Sequence, residues 1–483
     1  MMTEAILSAI RDYEKSGSVR ISDWRLVRTE SSGRERYFVG SALEQARAVD
    51  TDEYKLTLYV DSGSGDKKFR GESTVTIRPT DTAAELAATV ARSAFAASKS
   101  RNPWFSLPGP ATAKVSLPAS AFDAGETGSH LDAVRDALYS PSSADDGGAG
   151  DTEGDAAGNG TGAAGMPGAE PAATARINSL ELFLRREKTH FLNSRGQKWS
   201  STRNRGYTEF VVEATGPGVN VELFDDLHFS EPDRVRLAGA TGNRLSQVLD
   251  RAKAIPMPAL DGIPVLLSGA EAEEVFGWFF DNARTDMVFS KASSFSVGMN
   301  VQSPESGGAD AGAKATAGAM AVADPLDLRA EAVLKGMPSS TPFDPDGFPL
   351  EPVDVISGGI LQCLTGSVRH ADWLGVPRKG SFPLFSVSSG RATQASLRAA
   401  PHLEPVMFSD FRLDTVTGAF GAEIRLAYWF DGVKRVPVTG GSISGTVGAV
   451  RASMRRSTEL RLGARSLCPV AVLLQGVSIT GIA

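Results

Sequence analysis

Five histidines, two cysteines and one Asp-Asp-x-His run are where acid–base, nucleophilic or metal chemistry would have to start in this chain. His130, His190, His228, His370 and His402 lie too far apart for a helical HExxH pair. A zinc site would have to assemble from dispersed ligands such as His190, His228 and Asp225. Asp225 and Asp226 beside His228 have the composition of acid–base machinery; at a strand end the same residues serve as turn formers approaching a helix, and that is how they are read. "GGSISG" (residues 440–445) misses the nucleophile-elbow register, because Ile443 stands where GxSxG needs serine. Cys363 in "GILQCLTG" and Cys468 in "SLCPVAVLL" have no adjacent base, and both read as buried structural thiols. "SGSGDKKFRG" is glycine-rich but lacks the GxxxxGK[ST] spacing and a following helix, so it reads as a hairpin loop.

The elements that must position any site come next. "TEAILSAIRDYEKSG" has helical spacing, "DWRLVRTE", "RYFVGS", "EYKLTLYVD" and "STVTIRP" alternate like strands, and "DTAAELAATVARSAFAAS" is a helix with Thr82 and Glu85 as a capping box. Residues 1–105 thus predict a first α+β domain. Residues 106–256 predict a middle domain with helix-like "SHLDAVRDALYS", three further strands and the helix "DRVRLAGATGNRLSQVLDRAKA". It is interrupted at 141–175 by a Gly/Ala/Asp-rich segment with too little apolar bulk to order itself. Residues 257–483 predict a β-rich C-terminal domain, with a flexible loop at 303–319 and a hairpin at Asp431-Gly432. At its start, "GIPVLLS" reads as a buried strand leading into a helix. Ser268 and Glu271 form the capping-box pattern there, and Ala272, Val275, Phe276, Phe279 and Ala283 make a core-facing stripe.

Composition excludes several classes. The formal charge of -7, without a basic block, argues against nucleic-acid binding. The basic cluster "RASMRRSTELRLGAR" (451–465) reads as the solvated face of a strand or helix. No run of about 18 apolar residues is present to span a membrane. Two cysteines and no secretory start point to a reducing cytoplasm.

"GMPSSTPFDPDGFPLEPVDVISGGILQCLTGSVRHADWLGVPRKG" resembles the signature of the TldD/TldE (PmbA) peptidase-related family: a Phe343-Asp344-x-Asp346-Gly347 turn, a strand, a hairpin at Gly359 and Leu361, and a short helix ending at Gly375. "GAFGAEIRLAYWFDGVKRVPVTGGSISG" and the ending "VSITG" are similar to the family's later block. The resemblance implies N-terminal helix–antiparallel-sheet–helix modules followed by a β-rich domain. It also implies a zinc site in the catalytic TldD type, where a helix carries HExxxH and a later cysteine completes the ligands. Aligned on Ser293-Ser294-Phe295, those positions fall here on Phe276, Gly277 and Asp281, and Cys468 lies too near the end to be the later ligand. The chain therefore resembles the TldE/PmbA-like, non-catalytic subunit. The resemblance implies no cofactor in this chain, zinc in a TldD-like peptidase partner, a cytoplasmic heterodimer, and peptide or unfolded-protein substrates in proteolysis or peptide maturation. Two alternatives stay open: a stand-alone peptidase with a relocated site, and a homodimeric peptide-binding protein. Asp281 reads as an exposed helix carboxylate.

Overall fold

The computed structural model describes residues 2–65, 67–118, 127–141, 173–303 and 323–482. The segments expected to be flexible, 141–175 and 303–319, fall almost wholly outside these. Residues 174 and 175 do not belong to a loop, however: they open a long strand.

Six strands, β1 (Asp23–Val39), β2 (Ala42–Ser62), β3 (Phe69–Ile77), β4 (Thr174–Asn193), β5 (Lys198–Gly216) and β6 (Val219–Phe229), build one antiparallel sheet. Its order is β3-β2-β1-β4-β5-β6, with the short strand Asn102–Pro103 on the β3 edge. Strands on both sides of residue 105 therefore share one sheet through the β1–β4 ladder. "DWRLVRTE" and "RYFVGS", expected as separate strands, are one strand. The polar stretch between them pairs along its whole length, so no turn interrupts the ladder.

The period of two decides which face does what. Leu26 of β1, Leu56 and Leu58 of β2, and Ile77 of β3 point towards α1 (Met2–Ser16) and α2 (Ala83–Ala97), burying Ile6, Ile10, Leu86 and Val90 between them. Leu180, Leu182 and Leu184 of β4 and Phe210 and Val212 of β5 pack in the same way on α3 (Thr127–Leu138) and α4 (Arg234–Ala252). The expected capping box of α2 is formed: the Thr82 side chain accepts from Glu85 N, and Glu85 returns the bond. Asp233 caps α4 by accepting from Arg236 N. With one face under helices, the alternate residues Arg25, Val27, Trp199, Ser201, Arg203 and Arg205 are left on the opposite face.

The C-terminal domain follows. Strand β7 (Val265–Ser268), with Val265, Leu266 and Leu267 buried, feeds helix α5 (Gly269–Asn282), and α6 (Thr285–Phe289) comes next. A ten-stranded sheet holds β7 between the strands Ala471–Leu474 and His402–Phe408. A six-stranded sheet contains Leu384–Val387 paired in parallel with Ser466–Pro469. Both hairpins expected here form: Val353–Ser357 with Ile360–Leu361, and Ala419–Phe430 with Arg435–Thr439 around Asp431-Gly432. The helix expected to end at Gly375 is α7 (Val368–Leu374), closed by Gly375 at φ 67°.

Three expectations need correction. The basic cluster 451–465 is no solvated face: Arg456 is buried, donating to the Pro325 carbonyl, Arg451 donates to the Val301 carbonyl, and Arg465 turns onto α5. Cys363 is only half-buried, past the end of its two-residue strand, with Sγ 3.5 Å from the Asp354 carbonyl. Asp225 and Asp226 are strand residues of β6 and not turn formers.

Candidate functional site

Helix α5 does not begin on a capping box. Ser268 is its N-cap but makes no side-chain cap bond, and Glu271 is pushed towards its neutral form by burial. The helix is held by its apolar side instead: Ala272, Val275, Phe276, Phe279 and Ala283 are all 0% exposed within the main core. Each such ring contributes roughly 1.5–3 kcal/mol through burial.

Two acidic residues of α5 then fix a segment far away in sequence. Buried Glu273 accepts from the backbone N–H groups of Ala464 and Arg465, both at 2.8 Å. Gly463 permits this approach, because a Cβ there would come 1.9 Å from the Glu273 carboxylate. Arg465, thus placed, donates from Nη1 and Nη2 to Asp281 at 3.0 and 2.7 Å. Its guanidinium lies over the Phe385 ring, which stacks on Phe280. The same guanidinium covers Gly277, where a Cβ would meet Nη2 at 2.6 Å. Asp281 is thus not an exposed helix carboxylate but an ion-paired one, 18% exposed.

Of the three positions matched to HExxxH, the structure places Phe276 in the core, Gly277 beneath a guanidinium and Asp281 in its grip. This donor set does not fit zinc: it holds one carboxylate, already paired, no imidazole, and a resident positive charge. Cys468 is buried in the core, and burial pushes its thiol up to about 11. The dispersed alternative does not converge. His228 lies opposite Tyr207, which lies opposite Phe183, and His190 is seven residues further along β4, roughly 23 Å at about 3.3 Å per residue. Asp225 is taken by Arg244 at 3.0 Å, and Asp226 sits 3.4 Å from His228 Nε2. Among the described residues no three His, Cys, Asp or Glu side chains could hold a metal ion together.

The free face of the N-terminal sheet supplies what sequence reasoning missed. A cavity of about 550 Å³ lies between it and the loops 339–345 and 381–383. Residues of β1, β2, β3, β4 and β5 form the floor, and the Phe343-Asp344-Pro345-Asp346-Gly347 turn forms part of the roof. Asp344 organises that turn: Oδ1 accepts from Asp346 N and Phe348 N at 2.9 Å, and Oδ2 from Ser381 N at 3.2 Å. Burial, reinforced by the nearby Asp346 carboxylate, nevertheless pushes Asp344 up to about 7. Arg25 of β1 donates to Asp346 Oδ1 at 2.6 Å and to the Pro345 carbonyl at 3.1 Å. Gln197 donates to the Gly347 carbonyl at 2.9 Å. Gly347 adopts φ 86° and sits against Phe191, 2.5 Å from where its Cβ would be. The conspicuous turn is thus the latch between the C-terminal domain and the sheet. On its other side lies a second cavity of about 300 Å³, lined by Arg284, Asp286, Arg369 and His370. Alternation in "KWSSTRNRGY", which sets Trp199, Ser201, Arg203 and Arg205 on one face, was the available clue.

Residues 261–481 match the family model described as the PmbA/TldA metallopeptidase C-terminal domain. Curated protein sequences give no match. Solved structures resemble the chain over its length. A candidate modulator of a DNA gyrase from Thermotoga maritima covers 100% of both chains at 12% identity and TM-score 0.71. TldE from Thermococcus kodakarensis covers 99% of both at 13% identity and TM-score 0.69. Another candidate modulator of DNA gyrase, from Bacteroides thetaiotaomicron, covers 99% of both at 14% identity and TM-score 0.72. At such identities these likenesses speak for the fold, α+β with a β-rich C-terminal part. The match of residues 261–481 makes the C-terminal part of the chain similar to the PmbA/TldA metallopeptidase C-terminal domain, on a fold shared with these structures.

Proposed function

We propose that this chain is the TldE/PmbA-like, non-catalytic subunit of a zinc peptidase complex, in which a TldD-like partner carries the metal and this chain helps enclose the peptide or unfolded protein being cut. The observation that carries the reading is the Arg465–Asp281 pair over Gly277. It sets a cation where the catalytic type needs neutral imidazoles and a free carboxylate. The assembly we infer is a cytoplasmic heterodimer acting in proteolysis or peptide maturation. Among the described residues no helix is long and apolar enough to cross a membrane, which accords with that location.

Elemental analysis and co-purification test the reading. The chain purified alone is expected to hold no stoichiometric zinc and to leave an unfolded peptide uncut. Pull-down from the native host is expected to bring along a homologue with HExxxH, and the mixture is expected to cleave. Stoichiometric zinc in the lone protein, or unaided cleavage abolished by His228→Ala, would replace this reading with that of a stand-alone enzyme.

A further inference from the structure

Four cations line the cavity beneath the turn 343–347: Arg25, Lys55, Arg203 and Arg205. Arg25 is committed to Asp346, and Lys55 pairs at the rim with Glu53 at 3.0 Å. Arg203 and Arg205 share one carboxylate, each reaching Glu187 Oε2 through Nε at 3.0 and 2.8 Å. One positive charge of the two is left without a counter-charge in that arrangement. Burial and the neighbouring Arg205 both act against the charge on Arg203. Asp344, the carboxyl among the lining residues, is spent on three backbone N–H groups.

The apolar side of the cavity is a ring stack. Phe191, Trp199 and Phe343 lie parallel, with centroids 5.3 and 5.1 Å apart. Trp199 is stacked against both phenylalanines. The indole Nε1 of Trp199 is buried and has no acceptor among the described residues. Hydroxyls of Ser201 and Thr189 lie between the stack and the arginines.

We propose that this cavity binds a short peptide segment through a carboxylate, with Arg203 and Arg205 taking the carboxylate and the Phe191–Trp199–Phe343 wall taking the neighbouring apolar side chain. Guanidinium groups match a carboxylate in planar, bidentate fashion. About 550 Å³ lies within the roughly 300–1,000 Å³ of small-ligand sites, enough for a few residues and too small for a folded partner. The carboxylate belongs either to a chain terminus or to an Asp or Glu side chain; the chemistry is shared. The inference concerns this chain alone and goes beyond its role as a subunit.

Calorimetric titration of the purified full chain tests it, using Ala-Ala-Phe as the free acid, Ala-Ala-Phe amide, Ala-Glu-Phe amide and inorganic phosphate. One or both carboxylate peptides are expected to bind at least tenfold more tightly than Ala-Ala-Phe amide, and which of them does so names the source of the carboxylate. Binding should weaken as salt is raised. The Arg203→Gln/Arg205→Gln variant should lower affinity at least tenfold while unfolding cooperatively. Should that variant fail to fold, Ser201→Leu, which narrows the cavity and keeps the charges, should weaken peptide binding to a similar degree. Neither carboxylate peptide binding more tightly than Ala-Ala-Phe amide, no peptide binding at all, phosphate binding as tightly as the peptides, or unchanged affinity in the folded variants would each overturn the proposal. A zinc-bearing lone chain would sink the subunit reading without touching this one, and equal binding of all three peptides would do the reverse.

Discussion

Arg465 binds Asp281 through two parallel hydrogen bonds, 3.0 and 2.7 Å, across 184 residues of sequence, and the bare backbone of Gly277 makes the space for it. Glycine inside a helix ordinarily costs about 1 kcal/mol relative to alanine. Here that cost accompanies a guanidinium fitted over the helix. Gly277→Ala is therefore expected to destabilise the protein by about 1 kcal/mol net, overpacking at ~1–3 kcal/mol outweighing the propensity gain. Urea unfolding should show that Gly277→Ala becomes neutral or stabilising in an Arg465→Ala background. Additive effects in that cycle would mean the two residues do not meet.

Restoring the catalytic pattern on this scaffold is expected to fail. Phe276→His with Gly277→Glu and Asp281→His removes a fully buried ring, drives a side chain into Arg465 and leaves that arginine without its carboxylate. Losing the ring alone costs about 3–5 kcal/mol. The triple variant should melt well below the parent and bind no stoichiometric zinc, since the Arg465 cation stays over the helix and Cys468 is buried in the core. Tight zinc binding with peptide cleavage would contradict this account.

How much of this was legible beforehand follows from the range of the interactions. The stripe Ala272–Val275–Phe276–Phe279–Ala283, the cap at Thr82 and the hairpin at Asp431-Gly432 are local patterns, and each stood in the sequence. Arg465 over Gly277 was not legible, because a basic residue in "RLGAR" looks the same facing water or facing Asp281. The capping box at Ser268 failed for the opposite reason: the local pattern was present, but packing of α5 holds the helix without it. The cavity escaped because its floor is assembled from residues of five strands and its roof from another domain. The functional meaning of Phe343–Gly347 as a latch needed Phe191 and Arg25 opposite it.

That latch gives a mutational prediction. Gly347→Ala meets both a left-handed φ of 86° and the Phe191 ring at 2.5 Å. Strain of this kind costs on the order of 1–3 kcal/mol, before the clash is counted. Limited proteolysis should cut the variant faster between the sheet and the C-terminal domain. Phe191→Leu in the same chain should recover part of the loss, the backbone strain remaining. Full recovery would show that φ at this position carries no strain.

Asp344 sets a pH dependence whose sign is fixed by its environment. Its folded pKa, about 7, lies above the roughly 3.9 of an unfolded aspartate. The folded state thus holds its proton more tightly, and this contribution is fully present below about pH 4 and lost as pH rises through about 7. The slope is at most about 1.4 kcal/mol per pH unit for one proton. Denaturant midpoints measured from pH 5 to 8 should fall with rising pH to the extent of this single group. Asp344→Asn cannot ionise and should flatten that part of the profile. Its amide nitrogen replaces one acceptor of the Asp346, Phe348 and Ser381 N–H groups, so the whole curve should also drop by about 1–3 kcal/mol. A parallel curve with the parent's slope would mean that Asp344 is ionised throughout and that Arg25, 2.6 Å from Asp346, neutralises the pair instead.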